Sequence, residues 1–370
     1  MGLSYAFGPR GSALAWVPSP GQWVEVGFNT LVDANSGAPT PNSGNSFAQA
    51  NSFLDVWNGG AYDPFTGTFG RILYGPCGGH DTYDGNDVYE YDIETRLCSR
   101  VNDTATATNN RETSGSANTF GEYDDGSPIP NHDHAEHVVI EVGGVPTLLV
   151  PEASTWTGEN GAGSAYGHSL NLNALTWTRG PQFSAAQYHG MFIADRGRNC
   201  AWGKGQATPG FVRIDGDLTL TTYATNNYAI ADGAQAFHDT RRDRFVHFLH
   251  TFDYYIVDLQ NPGTKPSSTS GGAPGSMDYG SYMGYSQDLD IGIAWNGGKT
   301  VYTIDAGNLA GGWTAQGAGS TLTPPGGSSA GSGKQAYSKL YFFPQFGENG
   351  ILLGITDKNE PAWAYGLEAP

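Results

Sequence analysis

The sequence predicts an all-β protein built from one repeated four-stranded unit. Three observations carry that expectation. Gly contributes 54 and Pro 21 of the 370 residues, about a fifth of the chain against ~12% in average usage. Aromatic residues reach 12% while charged residues stand at 15%, so many turns accompany enough apolar surface for a large core. Short alternating strands also recur along the chain, most of them ending in an Asp-led turn. The same composition excludes a coiled coil or helical bundle, which needs abundant Ala, Glu, Lys and Leu. It excludes collagen, whose glycines fall at every third position, and disorder.

Each unit reads strand, turn, strand, loop, strand, turn, strand. In the first, Ala61-Tyr62-Asp63 leads into Ile72-Leu73-Tyr74, and 88–92 passes through an Asp-led turn into a strand starting near Leu97. The second uses 139–141, 148–150, 169–171 and Leu175-Thr176-Trp177. The third uses 192–195, 200–202, 211–215 and Leu218-Thr219-Leu220. The fourth uses 236–239, 245–248 and 255–258, followed by a Pro/Gly turn. In the fifth, Gln287-Asp288 leads into 293–295, then 301–305 and Gly312-Trp313. The sixth uses 342–344, 351–353 and 363–366, and there the chain ends one strand short.

With Asp92, Asn171, Asp215, Asp258, Asp305 and Gly366 as anchors, the intervals are 79, 44, 43, 47 and 61. Three of them match the ~40–50 residues of a propeller blade. The two long ones hold insertions, chiefly the inter-blade stretch 103–135. The expectation is one six-bladed β-propeller over 1–370, with a seventh blade inside 29–52 or 103–133 left open. The strand 22–26 is expected to complete the last blade, because closure removes the open sheet edges between first and last blades.

Charge narrows the partners. Asp and Glu outnumber Lys and Arg by 36 to 18, for a net charge of −18. That disfavours nucleic acid and insertion into or adsorption on anionic membranes, and leaves carboxylates for divalent cations or sugar hydroxyls. Cys77, Cys98 and Cys200 form no zinc pattern and no disulfide framework. Cys77 and Cys98 fall on strands two and four of one unit, roughly 9.6 Å apart, too far for a bridge. Residues 1–20 lack the basic and apolar regions of a signal peptide, and no apolar run reaches ~18 residues. A soluble chain, in a virion or released by lysis, is expected.

In such a ring, loops joining strand two to three share one face with the connections between blades, so distant residues converge there. The loop 76–86 carries His80, Asp81, Tyr83 and Asp84; the connection 103–135 carries Tyr123, Asp124, Asp125, His132, Asp133 and His134, with His137 just beyond. Loop 151–166 carries Glu152, Trp156, Glu159 and Tyr166, and the third blade begins with Gln187, Tyr188 and His189. His80, Tyr83, Asp84, Tyr123, His134 and Trp156 are the candidate ligand-binding set: aromatic rings stack on sugars while Asp and His bond hydroxyls. Asp81, Asp84 and Asp87, spaced around Gly85, offer part of a calcium shell, and calcium is the one cofactor left open. His132, Asp133 and His134 cannot complete a metal shell alone. The bland reading assigns Trp57, Trp177, Trp202, Trp295, Trp313 and Trp363 to packing between blades. It treats His168, His238, His247 and His250 as hydrogen-bonded strand-end residues.

The segment Gly78-Gly79-His80, followed by Asn86-Asp87-Val88-Tyr89-Glu90-Tyr91-Asp92, resembles the glycine pair and tyrosine strand of kelch and galactose-oxidase-like propellers. Copper-oxidase chemistry is not implied, since the family's Cys–Tyr crosslink and His/Tyr copper ligands are not recognisable. Gly78-Gly79-His80-Asp81 with His134-Ala135-Glu136-His137 also resembles propeller-type polysaccharide lyases, ulvan lyases among them. That likeness implies β-elimination, with His80 or His137 as base, Tyr188 as acid beside His189, and Arg111 or Arg179 clamping a uronate. Trp16-Val17-Pro18 and Gly21-Gln22-Trp23 are similar to the amino ends of propellers encoded by tailed phages. The leading expectation is a non-catalytic phage virion component, in tail or surface, contacting host glycans or other virion proteins. A polysaccharide lyase or other glycan-active enzyme, and a plain scaffold, stand as alternatives.

Overall fold

The computed structural model describes residues 15–38, 54, 59–76, 85–103, 126–128, 137–151, 166–183, 190–204, 210–226, 228, 235–249, 253–266, 268–270, 281–325 and 339–370. These residues form six antiparallel four-stranded sheets. Blade 1 holds β2 (Gly60–Asp63), β3 (Arg71–Tyr74), β4 (Tyr89–Asp92) and β5 (Leu97–Arg100). Blade 2 holds β6 (Val138–Val142), β7 (Val145–Val150), β8 (Tyr166–Asn171) and β9 (Thr176–Gln182). Blade 3 holds β10 (Met191–Asp195), β11 (Cys200–Lys204), β12 (Phe211–Asp215) and β13 (Leu220–Tyr223). Blade 4 holds β14 (Gln235–Asp239), β15 (Arg244–Phe248), β16 (Asp253–Asp258) and β17 (Ser268–Ser270). Blade 5 holds β18 (Tyr282–Ser286), β19 (Ile291–Trp295), β20 (Val301–Asp305) and β21 (Trp313–Gln316). Blade 6 holds β22 (Leu340–Phe343), β23 (Ile351–Gly354) and β24 (Trp363–Gly366), and its fourth strand is β1 (Trp23–Glu25). The six-bladed expectation therefore holds, and so does the amino-terminal closing strand, paired through Trp23 with Tyr365 and Glu25 with Trp363.

The first strand of each blade meets the first strand of the next, from β2 through β6, β10, β14 and β18 to β22. The ring closes where Tyr62 of β2 packs edge-on against Phe343 of β22 at 4.9 Å and Tyr341 Oη donates to Gly60 O. Between blades the core is aromatic. Phe211 meets Phe245 at 5.1 Å, Phe237 stacks on Tyr285 at 5.7 Å, and Trp23 lies on Trp295 at 5.6 Å. Trp202, Trp295 and Trp363 are buried, whereas Trp177 and Trp313 are half-buried; Trp57 lies outside the described residues. Cys98 and Cys200 are buried free thiols that burial pushes up to about 12; Cys77 lies outside the described residues.

The turns repeat one device. An acid, amide or hydroxyl at the end of a strand accepts backbone N–H groups of the turn that follows, which an isolated strand end would leave unpaired. Asp63 accepts from Phe65 N, Asp195 from Arg198 N, Asp239 from Arg242 N and Ser286 from Leu289 N. Four of the six anchors behave alike: Asp92 accepts from Thr95 N, Asn171 from Asn173 N, Asp258 from Gln260 N and Asp305 from Gly307 N. Such turns close through a residue in the left-handed region. Arg96, Leu175, Asn199, Leu218, Asp243 and Asp290 occupy it, with φ between 48° and 64°. This corrects two strand assignments. Leu175 and Leu218 belong to turns, and their strands begin at Thr176 and Leu220. Alternating hydrophobicity cannot register a leucine that serves the turn.

After β1 the chain straps the blade 6–blade 1 seam. Val26 N and Gly27 N donate to Ala362 O of blade 6. Phe28 N donates to Arg96 O, and the Asn29 amide pairs with both the N–H and the C=O of Cys98 on β5. The edge strand of blade 1 is thereby covered. The short helix α1 (Leu31–Ala34) follows, capped by a reciprocal Thr30–Asp33 box.

Candidate functional site

The ring has two chemically different faces. First and third strands run from a loop face, where blades connect, to a turn face built from the short turns above. A cavity of about 950 Å³ follows the ring axis and is lined by the first strand of every blade. Toward the loop face its wall includes His137, Met191, Gln235 and Tyr282. Toward the turn face it includes Asp195, Arg196, His238, Asp243 and Gln345.

On the turn face the charges neutralise one another. Arg198 donates to Asp195 of its own blade at 2.6 Å and to Asp243 of the next. Arg242 donates to Asp239 at 3.0 Å and grips Asp290 of blade 5 through both guanidinium ends, at 2.8 and 2.6 Å. Arg244 adds a bond to Asp239 at 2.8 Å, and Tyr285 Oη reaches Asp290 at 2.9 Å. The Arg242 guanidinium holds the Asp290 carboxyl down to about 2. Burial alone would raise Asp195 and Asp239, but their arginine partners outweigh it and hold both below the usual carboxylate range. Arg196 behaves differently. Its guanidinium lies over the Tyr62 ring at 4.6 Å, bridging blades 3 and 1 at the turn end of the cavity.

The strand ends near the loop face bury polar groups that no turn requires. Three of the six lysines, Lys204, Lys339 and Lys358, are at most 2% exposed, unusual for the side chain least often found inside proteins. Burial lowers the Lys204 amine to about 8. It lies 5.8 Å from the Tyr228 ring, whose hydroxyl is 3.1 Å from His247 Nδ1. Burial, reinforced by Lys204, lowers His247 to about 3. His247 Nε2, Gln235 Nε2 and His238 Nε2 are buried without a hydrogen-bond partner. His238 and His247 are therefore only partly satisfied, unlike the strand-end histidines the sequence suggests. Burial also lowers His238, against the pull of Asp195 and Asp243.

Of the residues singled out from sequence, His137 is 3% exposed and lines the cavity. Asp87 is buried and accepts from Tyr89 Oη, next to Asn86, which donates to Ser127 Oγ at 2.6 Å. Arg179 stands on the outermost strand of blade 2, opposite His168. His80, Asp81, Tyr83, Asp84, Tyr123, His134, Trp156, Tyr188 and His189 lie outside the described residues, as do Arg111 and His250. Among the described residues no three His, Cys, Asp or Glu side chains gather as a metal site. No helix among them is long and apolar enough to cross a membrane. Sequence reasoning missed Gln235 and the buried lysines. Their signal was position: Lys204 directly ends the apolar run Cys200-Ala201-Trp202-Gly203, and Lys339 directly precedes Leu340-Tyr341-Phe342-Phe343.

No protein-family model matches the chain, and no curated protein matches it. Among solved structures it is similar to the alpha-L-arabinanase of Penicillium chrysogenum, complexed with arabinobiose. The identity is 9%, the TM-score 0.49, and the match covers 92% of this chain and 97% of that one.

Proposed function

We propose that the chain is a non-catalytic, kelch-like propeller module of a phage virion, in tail or surface, that contacts host glycans through its loop face. One observation carries the reading: near the loop end of the strands Gln235 and His247 are buried and each keeps a nitrogen without a hydrogen-bond partner. Burying such groups costs free energy, and a face that presents polar chemistry gives them a reason to be there. Asp195 and Asp243 are both held by Arg198, so neither stands free for acid–base work. The virion setting rests on the amino-terminal resemblance and the acidic composition, and other virion proteins are the companion partners it implies.

A glycan array tests the reading. Binding to a defined set of glycans, lost in Trp156→Ala, is the expected result; a blank array overturns it. Mass spectrometry of purified particles tests the virion setting, which fails if the chain is absent from them. A glycan-active enzyme is the second reading, favoured by His137 at the cavity wall. Absorbance of unsaturated products from a panel of uronate polysaccharides, abolished by His137→Ala, would establish it in place of the first.

A further inference from the structure

The cavity along the ring axis holds two polar groups that the fold leaves without partners. Gln235 opens β14 at the loop end and is 4% exposed; His238, three residues on, has a side chain 11% exposed. Both line the cavity. Gln235 Nε2 and His238 Nε2 are buried and make no hydrogen bond, and the nearest acid to His238, Asp243, is 3.8 Å away. At ~3.3 Å per residue the two positions are about 10 Å apart along the axis. Each orphaned group costs about 1–3 kcal/mol until something bonds it.

The rest of the wall defines what that something is. Tyr62, Tyr285 and Tyr341 line the cavity and are only half-buried. Asp195 and Asp243 on the wall both bond Arg198. Burial keeps the His238 imidazole neutral near pH 7. Arg196 lies over Tyr62 at the turn end of the cavity. The volume falls within the ~300–1,000 Å³ of small-molecule sites. We infer that the cavity receives the neutral, hydroxyl-rich end of a saccharide, bonded by Gln235 and His238 beside tyrosine side chains. This rests on the glycan-binding reading and names where the sugar goes and of what class it is.

The experiment titrates neutral mono- and disaccharides, glucuronic acid and glucosamine into the full chain by saturation-transfer NMR and calorimetry. Neutral saccharides are expected to bind and the charged ones not. Gln235→Met and His238→Phe are each expected to weaken binding about fivefold, the worth of one hydrogen bond, without lowering the melting temperature. Unchanged affinity in both variants, or equal binding of glucuronic acid, overturns the inference. If extended glycans bind on the array and lose binding in Trp156→Ala while short neutral saccharides neither bind nor compete, the inference fails and the glycan reading stands. If no glycan of any length binds, the reading itself fails.

Discussion

The two ends of the ring differ in how they handle buried polarity, with His238, unpaired toward the turn face, as the exception. On the turn face, Asp63, Asp195 and Asp239 each bond a backbone N–H of their own turn and an arginine side chain or two. Every such acid serves the fold. Near the loop face, His247 and Gln235 keep a nitrogen unpaired in a buried place, and Lys204 sits beside an aromatic ring. Full satisfaction marks structure and partial satisfaction marks a face with another use. The contrast implies that removing a turn-face carboxylate moves stability and spares binding, while removing the Gln235 amide does the reverse.

The largest expected effect breaks the turn face. Asp239→Ala removes a fully buried carboxylate that holds Arg242 and Arg244, and should cost about 3–5 kcal/mol in urea unfolding. Glycan binding measured below the transition should be unchanged; loss of binding in the folded variant would erase the distinction between the faces.

Acid separates the faces next. His247 titrates near 6.5 when unfolded but is lowered to about 3 in the fold, by burial and then by Lys204. Its contribution to stability is therefore present above pH 6.5 and lost as pH falls toward 3, on the order of 4 kcal/mol at the end. The turn-face acids, with Asp290 held at about 2 by Arg242, lose theirs only below about pH 4. Unfolding free energies across pH 7 to 4 in wild type and His247→Phe test the order: the variant should flatten that limb. An unchanged slope would show that another group governs it.

Smaller effects follow. Gln235→Met should change stability by less than about 1 kcal/mol, because an apolar group of similar shape replaces an orphaned amide. A clear loss would mean that Gln235 serves the fold. Added salt at 1 M should cost less than about 1 kcal/mol, since the bridging Arg198 and Arg242 are 34% exposed. Melting curves at two salt concentrations check it.

The architecture was legible because turn chemistry repeats. Asp92, Asn171, Asp258 and Asp305 fall at strand ends where their side chains meet backbone N–H groups, so spacing alone counts the blades. The closing strand was legible because the sixth unit lacked one. Leu175 and Leu218 misled because a left-handed turn residue leaves no mark on the hydrophobic pattern. The site was less legible. His137, now at the cavity wall, was singled out from its place just beyond the 103–135 connection. Gln235 and Lys204 gave no composition or motif signal, since what sets them apart is burial, and burial follows from packing between blades.

The pairing of β1 with β24 also sets a timetable for biosynthesis. Trp23 is made 342 residues before its partner Tyr365. Blades 1 to 5 each draw all four strands from one stretch of chain, so each has its partners once that stretch has emerged. Blade 6 must wait until Tyr365 has emerged, and until then Trp23 of β1 lacks its partner. Closing so long a loop is slow relative to local hairpins. Ring closure is thus expected to be the final and slowest step of folding, and the nascent chain to be most prone to misassembly just before it.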